Sequence, residues 1–251
     1  MRRYELQDRK WERIKEYFPE KEPGRPPNAH RQIVNGIIIW IARSDAPWRD
    51  MPERYGSWET VYTRFRELVD SGVLVRIFKD LNIDADMQDL ALDSTSVRVH
   101  QHAAGAKKGA NQPKIGRSRG GLTTQIHGVV DGLGNPLCLL LSTGNETDVK
   151  NAPPLLCTLS ISGSIVNADR GYDCQKFVDW LISLGAIPNI PSRASNKIQR
   201  ECDWWEYKER YLVESFWQKI RQFRRVATRY DKLANSFLGF VYIASILVLL
   251  K

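Results

Sequence analysis

Leu90-Ala91-Leu92-Asp93-Ser94-Thr95 and Ser164-Ile165-Val166-Asn167-Ala168-Asp169 share one design, a short apolar run that leads into an aspartate. Runs of this length, bounded by polar residues, read as buried strands rather than helices. Each carboxylate is therefore expected at the carboxyl end of a strand in an α/β sheet, where such folds place their sites. A third acid, Glu214, opens an arginine-rich helix. Three carboxylates gathered at one point repel each other unless a cation sits between them, and hard oxygen donors suit Mg²⁺ or Mn²⁺. The expected site is a metal-binding triad of Asp93, Asp169 and Glu214.

Outward from these stretches, residues 86–251 alternate strands with helices. Leu90 to Val99 reads as one strand. Leu122 to Val130 and Leu137 to Ser142 form a hairpin around Asp131-Gly132-Leu133-Gly134-Asn135-Pro136. Asp148 can cap a helix toward Leu159, Ser164 to Ala168 is a short strand, Tyr172 to Leu184 is amphipathic, and Ala186 to Ile190 is a further strand. Two helices close the chain, Tyr211 to about Tyr230 and Leu233 to Leu250. An antiparallel group followed by strand–helix alternation is the layout of a ribonuclease H-like core, so the fold class expected is α/β.

Residues 1–85 read instead as a small all-helical domain. Trp11, Ile14 and Phe18 recur at helical spacing, and Ile33, Ile37, Ile38, Trp40 and Ile41 make a second apolar helix after the break Pro23-Gly24-Arg25-Pro26-Pro27. Ser57 is placed to cap a third helix, with Val61, Phe65 and Leu68 inward and Thr60, Thr63, Arg64 and Glu67 outward. A short helix with small polar and Arg side chains facing out suits a helix-turn-helix element entering a major groove. The same pattern also serves a plain helical bundle with a solvated face.

Charge narrows the partner. The chain carries 37 Lys and Arg against 29 Asp and Glu, a formal +8, and favours a polyanion such as nucleic acid. From Trp217 to Lys232 six basic residues stand against Asp231 alone, and Gln218, Arg221 and Arg225 share nearly the azimuth of Glu214. A second basic stretch, Lys107, Lys108, Lys114, Arg117 and Arg119, reads as a glycine-rich flexible loop able to approach a phosphate backbone.

Cys138, Cys157, Cys174 and Cys202 form no C-x-x-C pair and read as buried small residues in a reducing compartment. The N-terminus lacks the apolar core of a signal peptide. Leu233 to Leu250 runs eighteen residues without a charge, but Asn235, Ser236, Gly239 and Ser245 interrupt it, so it reads as a buried core helix and no membrane is expected. His100 and His102 read as a solvated or DNA-facing pair with a metal role as the alternative, His127 as structural, Asp173 as a helix cap, and Trp204 and Trp205 as core filling, with stacking on an unpaired base as the alternative. Ser94 and Thr95 are too ordinary in this setting to be nucleophiles.

These residues resemble the DDE transposases of bacterial insertion sequences, in the family named after insertion sequence 5, over essentially the whole length. The N-terminal part is similar through Gly24-Arg25-Pro26-Pro27, Asn35-Gly36-Ile37, Ala46-Pro47-Trp48-Arg49-Asp50 and Pro52-Glu53-Arg54-Tyr55-Gly56. The core is similar through Leu92-Asp93-Ser94-Thr95, Ala168-Asp169-Arg170-Gly171-Tyr172-Asp173 and Thr228-Arg229-Tyr230-Asp231-Lys232. The family's signature runs Tyr, two residues, Arg, three residues, Glu, six residues, Lys. Here it reads Tyr207, Arg210, Glu214 and Arg221, with Arg in the Lys position. Arg keeps the charge but is not interchangeable with Lys at a positioned contact.

The resemblance implies that Asp93, Asp169 and Glu214 are catalytic, that two Mg²⁺ (or Mn²⁺) ions serve them, and that Tyr207, Arg210 and Arg221 hold the transposon end. It implies cleavage of the element ends and transfer of the 3′-hydroxyl to target DNA. Phosphate contacts are expected from Lys107, Lys108, Lys114, Arg117, Arg119, Arg224 and Arg225, and sequence reading from the N-terminal helices, Arg64 included. The implied partners are double-stranded transposon ends and target DNA, bound by a homodimer in a bacterial cytoplasm. Two alternatives stand beside this: a ribonuclease H-like nuclease that cuts without joining, and a non-catalytic end-binding repressor or domesticated relic.

Overall fold

The computed structural model describes residues 5–18, 30–105, 113–197 and 199–251. The chain divides into two compact units, one of residues 1–81, 101–112 and 220–251, the other of residues 82–100 and 113–219.

The second unit is built on a sheet. Strand β1 (Asp89–Val99) pairs antiparallel with β3 (Gly121–Val130), and β3 pairs antiparallel with β2 (Gly116–Ser118) and β4 (Pro136–Thr143). On its other side β1 lies parallel to β5 (Ile165–Ala168), which lies parallel to β6 (Ile187–Asn189). The order β4-β3-β1-β5-β6, with the last two strands parallel to β1, is the ribonuclease H-like arrangement. Helix α5 (Asp148–Leu156) joins β4 to β5, and α6 (Gln175–Ser183) joins β5 to β6.

Strand alternation decides which side chain meets which helix. Leu90 and Leu92 point into a core with Leu155 and Leu156 of α5 and Phe177, Val178 and Leu181 of α6. Asp93 therefore points to the opposite face, toward helix α7 (Tyr211–Arg221). Asp93 is mid-strand rather than at the end of β1. The parallel ladder with β5, however, runs only from Asp89 to Leu92 against Ile165 to Ala168, so Asp93 and Asp169 both follow its last rung.

The first unit is helical. Apart from the short α1 (Asp8–Glu12) and α2 (His30–Asn35), which widens into a π-helix over Gly36–Arg43, it holds α3 (Trp58–Asp70), α4 (Val73–Asp80), α8 (Arg224–Ala227) and α9 (Ala234–Leu249). Ser57 caps α3 as expected, its Oγ accepting from the Thr60 amide at 3.3 Å. Helix α9 is apolar on nearly every side and is buried, as a central helix must be. Its Phe240 stacks on Phe65 of α3 at 4.4 Å, and Gly239 lets Val69 come so close that a Cβ there would stand 2.5 Å from a Val69 methyl. Among the described residues no helix is long and apolar enough to cross a membrane.

Three expectations change. The helix expected from Tyr211 to Tyr230 ends at Arg221, because Phe223 takes an extended conformation (φ −85°, ψ 107°) before α8 starts. Gly116 to Ser118 form a strand of a hairpin rather than part of a flexible loop, while Lys107 and Lys108 lie outside the described residues. None of the four cysteines is buried, and Cys157 is exposed.

Candidate active site

Asp93 is held largely out of water, its side chain 18% exposed against 51% for Glu214. Its Oδ2 accepts from Trp217 Nε1 at 3.1 Å and lies 3.9 Å from an Arg210 nitrogen. The indole reaches it across Gly128, the residue paired with Asp93 in the β1–β3 ladder. A Cβ at position 128 would stand 2.7 Å from Trp217 Cη2, so only glycine leaves room for the ring. Burial pushes the Asp93 carboxyl up to about 6, and the nearby Asp169 charge adds to this; the Ser94 amide, Arg210 and the indole N–H work the other way.

Asp169 stands at the head of the turn after β5, its Oδ1 accepting from the Gly171 amide at 2.7 Å. Glu214, in the first turn of α7, is half exposed and paired with Arg210. The Arg210 guanidinium thus spans Asp93 and Glu214, and it also lies 5.8 Å from the centre of the Tyr207 ring. The structure brings Asp93 and Asp169 together and ties Glu214 to Asp93 through Arg210. Among the described residues no three acid, His or Cys side chains converge at metal-binding distance. The donor chemistry of Asp93 and Asp169 fits a hard divalent cation: the Asp169 charge raises the proton affinity of Asp93, and a cation relieves that repulsion.

Other expected residues sort by their surroundings. Arg225 is taken out of the expected interface: it is 8% exposed, with Asp45 at 2.8 Å and Asp231 at 3.0 Å. Its side chain turned inward because the helix that would have carried it beside Glu214 stops four residues earlier. Arg64 is on the surface of α3 and paired with Glu67 at 2.7 Å. Arg117 lies in β2 and Arg119 in the β2–β3 turn, and the Lys114 carbonyl accepts from Thr124 Oγ1 at 2.7 Å. Arg221 is the last residue of α7, two turns beyond Glu214.

Trp204 and Trp205 do not fill the core; they are 57% and 75% exposed, with Lys208 Nζ 5.1 Å above the Trp205 ring. Trp204 borders an open pocket with Arg170, Ser192 and Arg200, next along the chain from Asp169. Asp173 does not cap α6, whose cap position is Cys174. It is instead an inward anchor that accepts from the Arg193 amide at 2.6 Å and pairs with Arg200; burial opposes its charge, but these partners hold its carboxyl below the usual range. His127 is buried, and burial lowers its pKa, which fits a structural role.

Trp217 and Gly128 escaped sequence reasoning as site residues. A glycine inside a strand does signal a close approach, and a Trp on the inward arc of α7 names the candidate, but nothing local joins the two.

Two neighbouring carboxylates that follow the last rung of the parallel ladder in a ribonuclease H-like sheet form a candidate site for phosphoryl transfer. Residues 84–249 match the family described as "Transposase DDE domain", and residues 6–78 match "Putative transposase of IS4/5 family". The chain belongs to the DDE transposases of the IS4/5 family of insertion sequences. It is 34% identical over 131 residues to a "Putative transposase for insertion sequence element IS6501" of Brucella ovis, 52% of this chain and 100% of that one. It is 40% identical over 112 residues to "Uncharacterized protein y4sN" of Sinorhizobium fredii, 43% of this chain and 90% of the relative. Among solved structures, "Mos1 transposase paired-end complex with left transposon end" is 15% identical, with a TM-score of 0.29 over 84% of this chain and 80% of that one.

Proposed function

We propose that this chain is a DNA transposase that binds the ends of its insertion sequence, cleaves them and transfers the 3′-hydroxyl ends to target DNA. The observation that carries this reading is the placement of Asp93 and Asp169 side by side after the last rung of the β1–β5 ladder, with Glu214 linked to Asp93 through Arg210.

Asp93, Asp169 and Glu214 are the residues that would hold two Mg²⁺ or Mn²⁺ ions. Such ions, when bound, activate the attacking oxygen and stabilise the leaving one in an in-line displacement at phosphorus. The chain's own part is to position. Trp217 and Arg210 fix the Asp93 carboxylate, and the Gly171 amide fixes that of Asp169. Hydrolysis and strand transfer differ only in the nucleophile, so one site serves both.

Residues 1–85 form the end-recognition domain in this reading, with Arg64 on the exposed face of the capped helix α3, and residues 86–251 form the catalytic domain. Tyr207, Arg210, Arg221, Lys107, Lys108, Lys114, Arg117 and Arg119 supply contacts to the DNA backbone. The exposed Trp204 and Trp205 offer faces on which an unpaired base stacks. The protein acts as a homodimer on DNA, since two ends are processed together, and it works in the bacterial cytoplasm.

The test is end cleavage by purified protein on DNA carrying the repeats that flank the reading frame, with Mg²⁺ present. Wild type is expected to nick at the repeat boundary, while Asp93→Ala retains binding and loses cleavage. Equal cleavage by the two would overturn the assignment.

A further inference from the structure

Asp148 lies on the opposite face of the sheet from Trp217. It is the first residue of α5, yet its carboxylate bonds to side chains of β1 and β3 on that same face of the sheet. Its Oδ1 accepts from Ser94 Oγ at 2.6 Å and from Gln125 Nε2 at 3.2 Å. Ser94 is the residue after Asp93, and its backbone amide faces the Asp93 carboxylate. One residue thus grips Asp93 with its main chain and Asp148 with its side chain.

The grip continues inward. Gln125 Oε1 accepts from Ser142 Oγ at 3.3 Å, and that hydroxyl lies 2.7 Å from Nε2 of the buried His127. Nδ1 of the same ring stands 3.8 Å from Asp148. Tyr172, in the turn that Asp169 begins, is 1% exposed; its hydroxyl lies among Asp148, Asp93 and Asp169, beside Ser94. The strand that carries Asp93 is thus tied by hydrogen bonds to a partly buried polar network centred on Asp148, and the turn that carries Asp169 sets the Tyr172 hydroxyl beside it. Bonds to a charged acceptor are about twice as strong as neutral ones, and in a buried network losing one partner strands the others.

We propose that Asp148 is a positioning residue of the transposase site, acting through Ser94 to set the Asp93 carboxylate against Asp169 for cation binding. This inference rests on the reading of Asp93 and Asp169 as the metal-holding pair. It assigns Asp148 no contact with substrate. A plain role in starting α5 would leave the carboxylate on the amides of its own helix, whereas both hydrogen bonds described here go to β1 and β3.

The experiment is a double-mutant cycle on the full chain, with Asp148→Ala, Ser94→Ala and the pair, plus Asp148→Asn. Mn²⁺ binding to DNA-free protein is measured by calorimetry, alongside end binding and cleavage. Asp148→Ala is expected to weaken Mn²⁺ binding and slow cleavage by about tenfold each, the scale of lost outer-shell support, with end binding unchanged. Ser94→Ala should act alike, the pair should be no worse than the worse single variant, and Asp148→Asn should retain most function because its Oδ1 still accepts from Ser94.

Wild-type Mn²⁺ affinity in Asp148→Ala, multiplicative losses in the pair, or an Asp148→Asn as damaged as Asp148→Ala would each overturn the proposal. If Asp148→Ala does not fold, Ser94→Ala, which removes one hydroxyl, decides by the same Mn²⁺ titration. A wild type that neither binds Mn²⁺ nor cuts ends refutes the transposase reading itself, whereas an active wild type with unaffected variants refutes only the role of Asp148.

Discussion

Replacing Asp93 by Asn should stabilise the protein while abolishing its chemistry. Burial raises the Asp93 carboxyl from 3.8 to about 6, so the folded chain binds this proton more tightly than the unfolded chain does. The stability that comes from this difference is complete below pH 3.8 and is lost as the pH rises through 6. At about 1.4 kcal/mol per unit of pKa, holding Asp93 ionised in the fold at pH 8 costs about 3 kcal/mol. At pH 4.5 the same linkage leaves a cost of about 1 kcal/mol. Asn carries no charge at either pH, and its side-chain oxygen can still accept from Trp217. The variant should therefore exceed wild type by roughly 6–12 °C in melting temperature at pH 8, and by a third of that at pH 4.5. Thermal unfolding followed by circular dichroism in the presence of a chelator makes the comparison. An Asp93→Asn that melts with wild type at pH 8, or one with the same advantage at both pH values, refutes the reasoning.

Gly128→Ala places a methyl 2.7 Å from Trp217 Cη2 and should push the indole off Asp93; a loss of about 1–3 kcal/mol in melting experiments, a shifted tryptophan emission and lost cleavage are expected. Arg225→Met leaves Asp45 and Asp231 without their shared cation, which should cost about 3–5 kcal/mol in denaturant titrations; end binding by the folded fraction should keep its affinity. Replacing Lys114, Arg117 or Arg119 by Ala should each reduce the salt slope of DNA binding by about 1, read from affinities at several salt concentrations.

Much of the sheet was legible because its signals are local. The runs before Asp93 and Asp169 are too short and too apolar for anything but buried strands, and Asp131-Gly132 with Asn135-Pro136 marks the hairpin. Ser57 was legible as a cap for the same reason, since the amide that it satisfies is three residues away. What failed depended on distant partners. Arg225 follows the helical azimuth of Glu214 until Phe223 breaks the helix, and it then finds Asp45, 180 positions away in the sequence. Asp148 looks like a helix cap to any local reading, yet its partners Ser94 and Gln125 lie 54 and 23 positions away. Trp204 and Trp205 carry the composition of a core and the position of a surface.

The central claim is that Asp93, Asp169 and Glu214 perform phosphoryl transfer on transposon ends. The most direct test is joining of a precut, labelled end to plasmid DNA by purified protein in Mg²⁺ or Mn²⁺. Wild type should yield joined product, and Asp93→Ala, Asp169→Ala and Glu214→Ala should bind the end and join none of it. Joining that survives any of the three substitutions, or that proceeds unchanged in excess chelator, would contradict the account.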